Sequence, residues 1–219
     1  MSEFKESVYH KLLERTAGTL AANNMKPFIA ETRAEALDII KTLLAEGETV
    51  SCGGSATLDE IGAMELLRSG KYNFLDRAGK SPEEAEKIYR DVFSADTYLT
   101  SSNAVTENGE LYNVDGNSNR VSMIAYGPSS VIMVVGYNKI VKDLSEAVAR
   151  VKTQAAPPNT KRLSCASYCR ETGVCMGLGG GMTDGCNSDG RICCSYLISG
   201  PQRHKNRIKV ILVAESLGF

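Results

Sequence analysis

The chain has 219 residues, of which 42% are hydrophobic and 23% charged, a balance that supports a globular core rather than a disordered or fibrous chain. A net charge of -1 gives no electrostatic reason to expect nucleic acid or an anionic membrane as partner. Polar residues crowd the N-terminus, no run approaches the roughly 20 apolar residues of a membrane span, and seven cysteines without an export signal predict a reduced, cytoplasmic protein.

In chain order, the first 20 or so residues read as a helix with Phe4, Val8 and Leu12 on one line. A short strand, Pro27 to Ala30, follows. Thr32 to Glu35 has the capping-box form, and the helix it opens carries Leu37, Ile40 and Leu44 on one face. Thr49 to Cys52 reads as the next strand. After Gly53-Gly54-Ser55-Ala56, Thr57 to Glu60 reads as a second capping box opening a helix.

A polar stretch from Ser69 to Ser81 leads to a charged helix over roughly 82–93, and Thr97 to Thr100 is again strand-like. Ala104-Val105-Thr106 and Leu111 to Val114 flank Glu107-Asn108-Gly109-Glu110, which predicts a hairpin because Asn and Gly both tolerate positive φ. The polar run 115–120 precedes a short helix ending at Gly127-Pro128. Val131 to Val135 has the continuous apolar character of a strand buried on both faces. Asp143 and Glu146 start a helix whose Leu144, Ala147, Val148 and Val151 share a face. From Pro157 the chain turns rich in Cys and Gly, and Arg207 to Ala214 closes it as a strand. Strands alternating with helices predict an α/β fold: a mostly parallel sheet covered by helices on both faces. The expected organisation is one domain over 1–219, with the Cys-rich segment 157–194 an insertion near its C-terminal end.

Four constellations can carry chemistry. Gly53, Gly54, Ser55 and Thr57 sit between a strand end and a helix start, where ligands of open α/β sheets bind and backbone N–H groups can approach an anion. The loop matches neither a triphosphate-binding nor a dinucleotide-binding glycine motif, and the alternative is a plain tight turn. Glu107, on the expected hairpin turn, is a candidate base or nucleophile, with Asp115 as a second candidate acid or base. Asn119 and Arg120 are candidates to hold a substrate carboxylate, although turns attract such residues anyway. Asn138 and Lys139 follow an apolar strand and can face a ligand, with Lys139 a candidate catalytic residue or carboxylate anchor, or can face solvent.

The fourth constellation is six cysteines within residues 165–194. Four thiolates complete a zinc site or an iron–sulfur cluster, yet Cys169, Cys175, Cys186 and Cys193 follow the spacing C-x5-C-x10-C-x6-C, which matches no standard site. Buried thiols acting as small hydrophobes are the competing reading, and Cys52 reads as core.

Several short blocks in order resemble the lactate-utilisation (LUD) domain family. They are Gly53 to Leu58, Ser101 to Leu111, Asn113 to Asn117, Asn119 to Val121, Gly136 to Val141, Ala156 to Asn159 and Glu215 to Phe219. The resemblance implies the fold shared by glucosamine-6-phosphate deaminase, ribose-5-phosphate isomerase and CoA transferases. It also implies a bacterial role in L-lactate oxidation beside iron–sulfur partner subunits. Thr106 to Gly109 resembles the stretch holding the glutamate nucleophile of CoA transferases, which singles out Glu107. Cys169 to Cys175 and Arg191 to Cys193 resemble the family's cysteine region, with Met176 to Gly185 enlarging the next spacing.

The expected function is therefore a component of an L-lactate utilisation system that binds a small carboxylate or CoA-like anionic cofactor at the Gly53 loop. The alternatives are a metal-holding assembly module for a redox partner and an acyl or CoA transferase using Glu107. A homo-oligomer is a further expectation.

Overall fold

The computed structural model describes residues 3–219. The chain runs α1 (Glu3–Ala22), β1 (Lys26–Ala30), α2 (Arg33–Leu43), β2 (Thr49–Cys52), α3 (Ala56–Glu60), α4 (Ala63–Leu67) and β3 (Asn73–Phe74). It continues with α5 (Pro82–Asp91), β4 (Thr97–Thr100), β5 (Ala104–Thr106), β6 (Leu111–Asp115), α6 (Asn119–Ala125), β7 (Ser130–Gly136) and β8 (Ile140–Val141). Helix α7 (Leu144–Arg150) runs through a π-helical segment, Val151–Ala155, into α8 (Ala156–Arg162). Then come α9 (Tyr168–Thr172), β9 (Ser195–Ser199) and β10 (Ile208–Val213).

Six strands form a fully parallel sheet in the order β1-β10-β7-β4-β2-β3. Its central strand β7 is buried on both faces, as its apolar run predicts. Ile132 and Val134 pack with α2, α3 and α4 on one side. Val131, Met133 and Val135 pack on the other with Leu13 and Leu20 of α1 and with the β5–β6 hairpin. This is the expected α/β sheet with helices on both faces.

A second sheet, β8-β5-β6-β9, is built on the expected β5–β6 hairpin, while its outer strands β8 and β9 have no counterpart in the sequence expectations. Its hairpin alternates with the pleat. Val105 and Leu111 face the main sheet, while Ala104, Tyr112 and Val114 face α7 and α8. At two and five residues, β8 and β9 give too little periodicity to be read alone.

Three local expectations are corrected. In α1 the buried line runs through Leu13, Thr16 and Leu20, whereas Phe4 and Val8 are 85% and 65% exposed. The adjacent Leu12 and Leu13 offer two registers, and packing against the sheet selects Leu13. Helix α3 is capped by Ser55, which accepts from the Leu58 N–H, so Thr57 lies inside the helix and not at its cap. In the β5–β6 turn only Gly109 has positive φ, at 79°; a Cβ there would meet the Thr19 backbone of α1 at 2.7 Å.

Among the described residues no helix is long and apolar enough to cross a membrane.

Candidate functional site

In a parallel sheet every strand delivers its carboxyl end to the same edge. Here β2, β4 and β7 end at Cys52, Thr100 and Gly136, so the turns that follow them bring Gly53, Ser101 and Lys139 together. The segment after β10 returns Leu217 and Gly218 to that edge: Asn138 donates to both carbonyls at 3.4 Å and accepts from the Leu217 N–H at 3.0 Å.

Beside this edge lies a cleft of about 510 Å³. The Gly53 to Thr57 turn forms one wall. The ends of β6 and α6 contribute Asp115, Asn119 and Arg120, and α8 contributes Asn159 and Arg162. Arg77 comes from the loop after β3, and Arg191 from the Cys/Gly segment. Four arginines line the cleft (Arg77, Arg120, Arg162 and Arg191), with Lys139 among them, against two carboxylate side chains, Asp115 and Asp189. That surplus gives the cleft a net positive lining.

Position 53 leaves little room for a side chain. A Cβ there would meet the Tyr98 hydroxyl at 2.9 Å, Thr100 Oγ1 at 3.1 Å and Arg120 Cδ at 3.2 Å. Gly54 is different, because a Cβ there would stand 3.9 Å from one terminal nitrogen of Arg77 and 3.9 Å from one of Arg162. Two guanidinium groups thus flank a bare stretch of backbone. Among the described residues Arg77 makes one hydrogen bond, to the Cys52 carbonyl at 2.6 Å, and lies over the Tyr89 ring. Arg162 bonds only to Asn159 Oδ1, at 2.8 and 3.1 Å.

Arg120 is arranged otherwise. Its guanidinium donates five hydrogen bonds, to Asp115, Ser101, Asn113, Asn103 and Val114, which matches its five N–H groups. In this conformation it braces the cleft wall and offers a ligand charge rather than donors. Asp115 is equally committed, accepting from Arg120 Nε and from the Arg120 and Val121 backbone N–H groups at the start of α6.

Lys139 is 3% exposed. Its Nζ donates to Thr57 Oγ1 at 2.8 Å and Ser101 Oγ at 3.1 Å. Burial, followed by the positive fields of Arg150 and Arg120, pulls its ammonium down to about 7. Arg150, also buried, ties the turns together by donating to the Asn138 carbonyl at 3.0 Å and the Asn103 carbonyl at 2.6 Å.

Glu107 stands apart. It sits on the hairpin turn against α1, 3.2 Å from Arg15, and its backbone carbonyl accepts from Thr19. It does not line the cleft that holds Gly53, Lys139 and Arg120.

Cys169, Cys175, Cys186 and Cys193 do converge, together lining a small cavity of about 30 Å³ beneath α8. Lys152 anchors the glycine-rich loop over it, donating to the Gly177 and Gly181 carbonyls at 2.6 Å each. Yet among the described residues no three His, Cys, Asp or Glu side chains are arranged to hold a metal ion. Cys52 lies in the core, its thiol pushed up to about 11 by burial.

With this geometry in place, the chain can be compared with known proteins. The family model described as LUD domain matches residues 13–213. The chain belongs to the LUD domain family. The crystal structure of a DUF162 family protein from Deinococcus radiodurans is similar over 94% of this chain and 98% of its own, at 16% identity and a TM-score of 0.52, a likeness of fold. The delta subunit of eIF2B from Chaetomium thermophilum is similar over 53% of this chain and 51% of its own, at 18% identity and a TM-score of 0.35. No curated protein matches the chain.

In this LUD domain, sequence reasoning on single residues missed Arg77, Ser101, Arg150 and Arg162. Ser101 and Asn159 carried a signal, since both fall within blocks of the family resemblance. Arg77 and Arg162 carried none, because a lone arginine in a polar stretch or a helix end is ordinary surface composition.

Proposed function

We propose that this chain serves in bacterial L-lactate utilisation and binds a small carboxylate or a larger anionic cofactor in the cleft beside Gly53-Gly54-Ser55. The observation that carries this reading is Gly54, lying bare between Arg77 and Arg162. A carboxylate or phosphate oxygen there accepts from two guanidinium groups, with no side chain in the way, and charge-assisted bonds of this kind are the stronger class. The four-to-two surplus of arginines over acidic side chains supports the same reading. Lactate utilisation as the setting is supported by membership of the LUD family.

In this reading Arg77 and Arg162 bind and orient the anion, Arg120 supplies charge from the wall, and Lys139 holds or releases a proton at Nζ. Calorimetric titration with L-lactate, pyruvate and acetyl-CoA tests it. Binding of at least one, weakened tenfold or more in Arg77→Gln and Arg162→Gln, is the expected result. Absence of binding by all three, or undiminished affinity in both variants, overturns it.

A further inference from the structure

The cleft holds one group that anion binding by itself does not require. Lys139 lines the cleft although the residue is almost fully buried. Buried lysines normally face a carboxylate, because an uncompensated buried charge is costly. This one faces two hydroxyls, and among the described residues it forms no ion pair. The guanidinium groups of Arg150 and Arg120 outweigh Glu60 in the field it feels. Such surroundings favour the neutral amine, which keeps a lone pair at nitrogen.

The two hydroxyls suit either protonation state. Thr57 Oγ1 lies 3.4 Å from the Leu217 carbonyl and Ser101 Oγ lies 3.4 Å from the Ser102 carbonyl. Each can accept from the ammonium, then turn its own proton toward the neutral nitrogen or toward a departing oxygen. The tail closes over the same spot, since a Cβ on Gly218 would stand 3.2 Å from Nζ. Water is thereby limited around the amine, while the cleft remains open on its other side.

We propose that Lys139 forms an iminium with the carbonyl carbon of a 2-oxo acid held in the cleft by Arg77 and Arg162. This rests on the anion site proposed above and names its substrate class. The nitrogen lone pair attacks the carbonyl carbon, and the C=O π pair moves to oxygen, which takes up a proton given by the attacking nitrogen, so that the nitrogen regains a lone pair. The resulting hydroxyl leaves with a second proton as water, and the nitrogen lone pair forms the C=N bond. In sum an ammonium and a carbonyl give an iminium and water, with no change of oxidation state. Cationic walls suit the carboxylate of such a substrate, and a cleft of about 510 Å³ accommodates chains longer than three carbons.

The test is borohydride trapping on the full chain with pyruvate, 2-oxobutyrate and 2-oxoglutarate, read by intact mass and peptide mapping, alongside calorimetric binding of the same acids without reductant. One reduced adduct is expected, mapping to Lys139, absent in Lys139→Arg, and increasing as pH rises through about 7. Mapping in the unaltered chain makes the result independent of how the variant folds. Binding without an adduct, or labels scattered over surface lysines, overturns the iminium and leaves the anion site standing. Neither binding nor adduct with any of the three overturns the iminium and the 2-oxo acid substrate class together, while the anion site itself stands or falls with the L-lactate and acetyl-CoA titrations.

Discussion

Lys139 Nζ donates to Thr57 Oγ1 at 2.8 Å, joining the turn after β7 to helix α3 across 82 residues of sequence. The bond also explains why Thr57 is buried and why Ser55 caps the helix instead. Thr57→Val keeps the shape and removes the acceptor, so a buried donor loses a partner. The expected cost is about 1–3 kcal/mol in urea denaturation. Thr57→Ser, which keeps the hydroxyl, is expected to lose markedly less; equal losses in the two variants would show that the methyl, not the bond, matters.

The same lysine sets a pH dependence. Its folded pKa of about 7 lies below its ordinary 10.5, so between those values the unfolded chain holds a proton that the folded chain has released. Stability from this group therefore rises with pH across that window, by at most about 1.4 kcal/mol per pH unit. Below about 7 both states are protonated and the full cost of burying the charge is felt. Denaturation of wild type and Lys139→Met at several pH values isolates the effect. The stability of wild type minus that of the variant should rise with pH through the window, and a constant difference would refute it.

Two neighbouring glycines should respond differently. Gly53→Ala forces a methyl against the Tyr98 hydroxyl, Thr100 and Arg120, which belong to the buried base of the cleft. Overpacking of this kind costs about 1–3 kcal/mol. Gly54→Ala meets nothing closer than 3.9 Å, so the fold should tolerate it while the methyl intrudes between Arg77 and Arg162. Thermal melts and anion titration together separate the two: a lower Tm for the first, weaker binding at near-normal Tm for the second.

Glu107→Gln should leave anion binding unchanged. The carboxylate pairs with an exposed Arg15 away from the cleft, and exposed pairs contribute about 0–1 kcal/mol. Loss of binding in this variant would require the hairpin turn to reach the cleft, which the packing of Gly109 on Thr19 opposes.

Thiol labelling probes the Cys/Gly segment. Cys194 is exposed, Cys169 and Cys186 are buried, and Cys52 is buried with its thiol held high. Alkylation of the native chain followed by peptide mass spectrometry should mark Cys194 first and Cys52 last. Fast labelling of Cys169 and Cys186 would mean that the segment does not pack on α8.

Much of the fold is legible in the chain itself because its signals are local. The apolar run of β7, the Asn-Gly turn before β6 and the caps at Thr32 and Asp143 act through neighbours a few residues away. The glycine loop after β2 is legible for the same reason. What the chain alone leaves open is which turn meets which, since that follows from strand order and register. The order β10-β7-β4-β2 sets Gly53, Ser101 and Lys139 side by side. The path of the chain after β3 and along α8 brings Arg77 and Arg162 to Gly54. The hairpin, pressed on α1, carries Glu107 to Arg15 instead. A side chain's type is written locally, but the charge, burial and partners that give Lys139 its chemistry come from segments as far as 82 residues away, and only tertiary packing brings them within hydrogen-bond distance.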